Sequence, residues 1–145
     1  MSILNKLLSS YADDIARAAG NKIDDVARIA ANKAVLVEIN IGDEDSKSGI
    51  PYGQAMELVH QLSEYKNLTV KGLMCIPPID ATEAVRKYFA QMHKLFVDIS
   101  SKKLDNIDMC ILSMGMSGDY PWAIAEGSTL VRVGTGIFGQ RNYNL

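Results

Sequence analysis

Four apolar segments, separated by amphipathic ones, constrain the fold of this chain more than any other feature of its sequence. They are AVLVEINI (34–41), TVKGLMCI (69–76), DMCILSMG (108–115) and TLVRVGTG (129–136). Each is a nearly continuous apolar run and lacks the in-and-out alternation of a strand with one face in water. Such runs are typical of parallel strands that are covered on both faces, and we predict four of them here.

Helical patterns occupy the stretches between these predicted strands. Residues 54–65 and 83–101 repeat apolar positions at the spacing of an amphipathic helix, and residues 3–32 predict one or two further helices. The predicted order is α-β-α-β-α-β-α-β, which is that of an α/β fold built from right-handed crossover units. The sequence contains no internal repeat or linker, so we predict a single domain over residues 1–145.

The charge and the cysteine content limit the expected partners and compartment. With a net charge of −2 and no cluster of Lys and Arg, the chain is not expected to bind nucleic acid or an anionic membrane surface. We expect neither a secretion signal nor a membrane span, which needs about 18 consecutive apolar residues. Cys75 and Cys110 both lie in predicted strands, so we expect buried, reduced thiols and a cytoplasmic protein.

Two glycine-rich turns follow the third and fourth predicted strands, as SMGMSG (113–118) and GTG (134–136). Ligands of parallel α/β folds bind at the carboxyl ends of the strands, where these turns would be neighbours. Ser117 and Thr135 supply hydroxyl groups, the glycines supply backbone N–H groups, and a helix capped by Asp119 adds its positive end. We therefore predict a phosphate site between the turns; the alternative is that the glycines only permit tight turns.

Arg132 lies inside the last predicted strand, between two valines. A guanidinium group in an apolar run needs a partner, because burial of an unpaired charge is costly. We predict that Arg132 faces the mouth of the sheet and meets an acceptor there; the alternative is a buried ion pair with a carboxylate such as Glu38. A thioether packs well against a flat ring, and Met114 or Met116 is placed to do so.

The remaining acidic and histidine residues do not predict a metal or hydrolase site. The loop at 42–50 lacks the ligand order of an EF-hand, so we predict a solvated loop. His60 and His93 lie on predicted helices, away from the strand ends and without a second His or Cys at ligand spacing. We expect neither a bound metal nor a Ser-His-Asp triad.

Four motifs together resemble one known family. They are VLVEINIGDEDSKSGI, GLMCIPP, LSMGMSGDYPWAI and GSTLVRVGTGIFGQRNY. These stretches are similar to the pyridoxal phosphate homeostasis proteins, which are relatives of the alanine racemase N-terminal barrel, and the resemblance runs from about Leu7 to Tyr143. It implies a (β/α) barrel of the TIM type that binds pyridoxal 5′-phosphate (PLP) and has no established catalytic turnover.

The resemblance also implies roles for individual residues. Ser117, Gly134 and Thr135 are expected to contact the cofactor phosphate, and Arg132 to face the pyridine nitrogen. An Arg at that place, instead of an acid, keeps the nitrogen unprotonated and weakens the ring as an electron sink, which suits a non-catalytic carrier. Three further residues near the ends of predicted strands complete the expected cofactor-binding set: Met116, Met74 and Asn40.

The sequence departs from the family in one important respect. Family members carry the lysine that forms a Schiff base with PLP on their first strand, in an AVSKT-like motif that does not occur here. The resemblance therefore covers a C-terminal portion, a partial α/β TIM barrel of about four parallel strands without the family's first strands. Lys47 is the lysine at the carboxyl end of a predicted strand, and we expect it to be a poor substitute. Any PLP is expected to bind without a covalent lysine link.

Three functions follow from these features. The first is a non-catalytic PLP-binding protein; the alternatives are a cofactor-free half-barrel assembly module and an enzyme acting on a phosphorylated small molecule. For the enzyme we identify no acid or base. Four strands cannot close a barrel that needs eight, and open strand edges pair readily with another chain. We therefore expect a homodimer or a partner chain that completes the half-barrel, unless the predicted helix at residues 3–19 covers the sheet.

Overall fold

A computed structural model describes residues 33–79 and 82–142, and the helices predicted over residues 3–32 lie outside that part of the chain. The described residues form one five-stranded parallel sheet in the order β2-β1-β3-β4-β5. The strands are β1 Lys33–Asn40, β2 Ile50–Pro51, β3 Leu68–Cys75, β4 Ile107–Met116 and β5 Leu130–Arg132. The predicted α/β class is confirmed, with one short strand more than the sequence predicts. Within the described residues the sheet does not close into a barrel, and β2 and β5 are its edges.

Four helices follow strands of this sheet. They are α1 Ala55–Ser63, α2 Arg86–Ser101, α3 Tyr120–Ala125 and α4 Thr135–Phe138. The first two agree with the helical patterns in the sequence, and short 3-10 turns at Tyr52–Gln54 and Glu83–Val85 precede them. No helix in the described part of the chain is both long and apolar enough to cross a membrane.

The hydrophobic core lies between the helices and one face of the sheet. Val37, Leu73 and Leu112 share one row of the strand register and are all nearly inaccessible to solvent. They belong to one buried cluster with helix residues such as Phe89 and Ile99. Side chains alternate between the two faces of a strand, so this row fixes which residues face the core.

The opposite face of the sheet, here called the open face, carries polar side chains. Glu38 and Met74 occupy neighbouring register positions on it and are half-buried. Lys71 and Asp108, both accessible to solvent, form an ion pair between β3 and β4. The prediction of strands covered on both faces is therefore wrong for the described residues, because these charged positions interrupt the apolar runs on one face.

The two cysteines differ in their exposure to solvent. Cys75 is fully buried in the core, as predicted, but Cys110 is exposed, so the prediction of a second buried thiol is wrong. Both thiols are free. The register between β3 and β4 shifts between Val70 and Gly72, and this irregularity changes which residues of β4 face solvent. The Cys110 thiol lies near the Lys71 carbonyl, with a sulfur–oxygen distance of 3.6 Å.

The last strand is much shorter than the predicted 129–136, since β5 has three residues and Thr135–Phe138 form a helix. Hydroxyl groups just before β5 attach it to β4. The Leu112 N–H donates to Thr129 Oγ1 at 2.7 Å, and Thr129 N–H donates to the Leu112 carbonyl at 3.0 Å. Ser128 Oγ donates to the Met114 carbonyl at 2.7 Å. These bonds supplement a strand ladder with two register pairs.

Candidate phosphate and cofactor site

The two glycine-rich turns predicted to bind phosphate are in direct contact. Ser117 Oγ accepts hydrogen bonds from the Gly134 N–H at 3.2 Å and from the Gly136 N–H at 3.0 Å. Both N–H groups therefore point to one position at the carboxyl ends of β4 and β5. Backbone N–H groups that converge in this way form the kind of concave site that binds anions. Gly134, Thr135 and Gly136 are exposed, so a ligand has access to them.

The turn that presents Ser117 is closed by Asp119. Its Oδ1 accepts a hydrogen bond from the Met116 N–H at 2.6 Å, and its own N–H donates to the Met116 carbonyl at 3.2 Å. Asp119 stands at the N-cap position of α3, as predicted, but its side chain caps no N–H group of the helix. Because α3 has six residues, the predicted contribution of its positive end to anion binding is small.

Gly115 allows α3 to pack closely against the end of β4. Its φ of +99° lies in the left-handed region that favours glycine. A Cβ atom at this position would lie 2.6 Å from the Ala123 Cβ, which is too close for two carbon atoms. The glycine therefore sets the distance between the strand end and the helix, and with it the position of the Ser117 turn.

Arg132 crosses three strands on the open face. Its Nη1 donates to Ser113 Oγ on β4, and its Nη2 donates to the Cys75 carbonyl on β3 at 2.9 Å. Within the described residues it makes no ion pair with a carboxylate, so the alternative of a pair with Glu38 is wrong. A guanidinium group carries five N–H donors. Within residues 33–79 and 82–142, two of them bond to protein acceptors and the others have no acceptor.

The methionines near the site occupy different faces. Met74 is half-buried and lies in register with Ser113 on the open face, while Met116 is in register with Arg132 and 43% exposed. Met114 is fully buried in the hydrophobic core, so it cannot contact a ligand on the open face. Of the two methionines predicted to pack against a flat ring, the fold thus leaves Met116, with Met74 on the neighbouring strand.

Asn40 and Lys47 hold the loop after β1. The Asn40 side chain donates to the Glu44 carbonyl at 2.8 Å and accepts from the Glu44 N–H at 3.2 Å. Lys47 Nζ donates to the Pro77 carbonyl at 2.8 Å and forms an ion pair with Glu44 at 2.9 Å. These bonds tie the loop after β1 to the loop after β3. Both side chains are engaged in loop structure, and a cofactor contact by Asn40 stays a prediction.

Cys75, whose backbone carbonyl accepts from Arg132, has its thiol buried in the core and neutral. Burial raises the pKa of Cys75 to about 12, and the nearby positive charge of Arg132 opposes this shift without reversing it. The described residues contain no group of three or more His, Cys, Asp or Glu side chains that could hold a metal ion.

The sequence did not predict the residues that support the site from below. Ser113, the Cys75 carbonyl, Ser128 and Thr129 position Arg132 and β5; of these, Ser113 is among the residues at the predicted strand ends, but the sequence predicts no role for it. One signal was present for Ser113, because it is a single hydroxyl residue near the end of an apolar strand that neighbours the strand of Arg132. A backbone carbonyl acceptor leaves no such signal.

A parallel sheet with helices on one face, and with two glycine-rich loops meeting at its carboxyl end, defines a protein of the β/α-barrel class. The family model described as "Alanine racemase, N-terminal domain" matches residues 11–142. The chain belongs to this family.

The chain is also similar to named proteins of other organisms. The chain is 45% identical over 111 residues to the pyridoxal phosphate homeostasis protein of Pasteurella multocida, covering 76% of this chain and 47% of the relative. It is 42% identical over 110 residues to the protein of the same name from Aquifex aeolicus, covering 75% of this chain and 47% of that protein. The predicted resemblance is confirmed, and the chain spans about half the length of these curated relatives.

Solved structures agree with the fold. A crystal structure of a protein described only as unknown, from Bifidobacterium adolescentis, matches with a TM-score of 0.72 and 37% identity, over 79% of this chain and 48% of that one. The PipY protein of Synechococcus elongatus, solved with PLP bound, matches with a TM-score of 0.66 and 29% identity, over 81% of this chain and 54% of PipY. Partial coverage of longer barrels agrees with the prediction of a C-terminal portion.

Proposed function

We propose that this chain binds PLP reversibly through its phosphate group and performs no catalysis. The observation that carries the proposal is the convergence of the Gly134 and Gly136 N–H groups on Ser117 Oγ. A phosphate oxygen that replaced Ser117 Oγ as the acceptor would take the same hydrogen bonds, and the rotated Ser117 hydroxyl and that of Thr135 would add two further donors. Hydrogen bonds to a charged acceptor are the stronger kind, so few contacts suffice.

The ring of the cofactor is proposed to lie over the open face, toward Arg132. A guanidinium group can only donate hydrogen bonds, so it suits an unprotonated pyridine nitrogen. Such a nitrogen stabilises a carbanion poorly, which favours a carrier over a catalyst. Met74 and Met116 are placed beside the ring, where thioethers pack well. The PLP-bound PipY structure supports this choice of cofactor.

We propose that neither Lys47 nor Lys71, the lysines near the described site, forms a covalent bond with PLP. Lys47 is held by Glu44 and the Pro77 carbonyl, so its amine is not free to approach the site. Lys71 lies on the open face, but its hydrogen bond to Asp108 raises its pKa. A raised pKa lowers the fraction of unprotonated amine, which is the form that attacks an aldehyde.

Titration with PLP tests the proposal. We expect saturable binding seen by the absorbance of the cofactor, competition by inorganic phosphate, and no pyridoxyl-lysine in the mass spectrum after borohydride treatment. Free PLP with the same borohydride treatment is the control for reduction. A trapped lysine adduct would overturn the non-covalent part of the proposal. Absence of both binding and phosphate competition would overturn the site itself.

We also propose that a second chain covers the sheet, as a homodimer. Two short edge strands support this, since β2 has two residues and β5 has three. Next to β5, Ile137 and Phe138 on α4 are 68% and 87% exposed. Apolar side chains grouped beside an unpaired strand are typical of an interface.

We propose that the protein works in the cytoplasm. Its two cysteines, Cys75 and Cys110, form no disulfide, which supports a reducing compartment.

A further inference from the structure

We propose that Ser113 is a positioning residue that fixes the orientation of Arg132 and thereby sets how the ring of a bound ligand is recognised. The inference rests on the proposed PLP function. It concerns the ring alone and leaves the phosphate loops unchanged. It assigns a role to the first residue of the 113–118 motif, which lies within β4 and takes no part in the contact between Ser117 and the 134–136 turn.

The burial of Ser113 is the first observation. Its relative exposure is 2%, although it lies on the open face in register with half-buried Met74. A hydroxyl group that is removed from water needs a hydrogen-bond partner, because an unpaired one is costly. The partner of Ser113 is the Arg132 guanidinium, which donates to its Oγ.

The direction of that hydrogen bond is the second observation. Arg132 has donors only, so Ser113 must accept, and the Ser113 hydroxyl proton is left over. Within the described residues, the Ser113 hydroxyl donates its proton to no hydrogen-bond acceptor. A buried donor without an acceptor therefore lies beside the free N–H groups of Arg132. Together these donors form a site that can hydrogen-bond to the lone pair of an unprotonated ring nitrogen. A protonated ring nitrogen is itself a donor and would be disfavoured there.

The geometry of Arg132 explains why one hydroxyl matters. The guanidinium is held at two points, Ser113 Oγ and the Cys75 carbonyl. Removing the first leaves one contact, about which the planar group can rotate, and its free N–H edge no longer faces a fixed direction. The phosphate loops do not depend on this contact, since Ser117 bonds to Gly134 and Gly136 independently.

The pairing of β5 with β4 does not depend on the Ser113–Arg132 hydrogen bond either. Thr129 and Ser128 attach β5 to β4 through their own hydroxyl groups. A substitution at Ser113 is therefore expected to change ring recognition while β5 stays in place. This separates a positioning role from a merely structural one.

The experiment compares Ser113→Ala with the matched control Ser101→Ala, whose hydroxyl bonds to the Asp98 carbonyl at the far end of α2. For each variant, PLP affinity, inorganic phosphate affinity and the absorbance maximum of bound PLP are measured. We expect S113A to lose PLP affinity about tenfold, to keep phosphate affinity within about twofold, and to shift the absorbance maximum. The control should match the unmodified chain in all three.

Arg132→Lys provides the second arm of the experiment. Lysine keeps the positive charge but lacks the planar set of N–H donors that can reach two acceptors at once. If Ser113 acts through Arg132, the double variant should bind PLP no more weakly than R132K alone. If S113A proves unstable, Ser113→Cys replaces it, since a thiol keeps most of the volume but is a weak acceptor.

The outcomes separate the two proposals. Unchanged PLP affinity and absorbance in S113A, or an equal loss of PLP and phosphate affinity, would overturn the role of Ser113 alone. Additive losses in the double variant would do the same. Failure of the unmodified chain to bind PLP would overturn the proposed function and this inference with it.

Discussion

Ser117 and Gly136 are 19 residues apart in the chain, yet the hydroxyl oxygen of one accepts a hydrogen bond from the backbone N–H of the other at 3.0 Å. The bond joins the loop that follows β4 to α4, the short helix that follows β5. It also shows where an oxygen atom fits between them. A ligand oxygen with more negative charge would be held more strongly by the same donor.

The double substitution Ser117→Ala with Thr135→Val is expected to weaken binding of PLP and of inorganic phosphate much more than it weakens folding. Each change removes a hydroxyl from a hydrogen bond to a charged group, which is typically worth about 1.5–3 kcal/mol. Isothermal titration with both ligands measures the loss, and a thermal melt checks the fold. Equal affinities in the double variant and the unmodified chain would sink the assignment of this site.

Removal of the negative charge of Asp119 is expected to raise the affinity for phosphate, whereas the double substitution lowers it. Asp119 lies two residues after Ser117 and its carboxylate accepts from the Met116 N–H, so it places a negative charge near the proposed phosphate. Asp119→Asn keeps an acceptor and removes the charge. We expect a gain in phosphate affinity of up to about 1 kcal/mol, which shrinks as salt is added. A gain that is the same at low and high salt would argue against an electrostatic cause.

The two thiols are expected to react at different rates. Cys110 is exposed and Cys75 is fully buried, so an aromatic disulfide reagent at pH 8 should modify one thiol per folded chain quickly. Denaturation should release the second. Cys110→Ser is the control and should remove the fast phase. A fast phase that persists in this variant would show that Cys75 is accessible.

The raised pKa of Cys75 predicts a loss of stability at high pH. The folded-state pKa is about 12 against an ordinary value of 9.0, so the unfolded chain releases this proton first. The contribution is fully present below pH 9 and is lost progressively as the pH rises toward 12. Urea unfolding at pH 8 and pH 10 measures it. Cys75→Ala should show a smaller decrease between these pH values, and an identical decrease would contradict the prediction.

Lys47 is expected to serve the loop and not the chemistry. Lys47→Ala removes an ion pair with Glu44 and a hydrogen bond to the Pro77 carbonyl, so it should cost about 1 kcal/mol of stability. Racemase, transaminase and decarboxylase activities should be absent both before and after the change. Turnover of any amino acid that disappears in this variant would show that Lys47 is a cofactor lysine.

The assembly proposal predicts a light-scattering mass of twice the 15.9 kDa of one chain at low micromolar concentration. Phe138→Asp should lower the dimer fraction, because it places a charge in the proposed interface. Val97→Asp, at an exposed apolar position on α2, is the matched control. A monomer with a cooperative melt would show that no second chain is needed.

The sequence predicts the regular part of this fold well. The apolar runs at 34–41, 69–76 and 108–115 match β1, β3 and β4 to within a residue or two, because the side of each strand that faces the core must be apolar. The meeting of Ser117 with the 134–136 turn also follows from strand order alone, since parallel neighbours end at the same edge.

The irregular part could not be predicted, for physical reasons. β2 has two residues, which is too short to show any periodicity. The register shift beside Gly72 decides which side of β4 faces solvent, and it depends on pairing with β3 and not on local sequence. One of the two acceptors that hold Arg132 is a backbone carbonyl, a group that every residue possesses.

The attachment of β5 links ligand binding to local opening of the sheet. The strand is held to β4 by two register pairs and by the hydroxyls of Ser128 and Thr129, so a small number of bonds opposes its detachment. A phosphate bound by both Ser117 and Gly134 would connect this strand end to β4 a second time. The free energy of binding would then also oppose the detachment of β5, and amide hydrogen exchange at Leu130–Arg132 would slow as the ligand concentration rises.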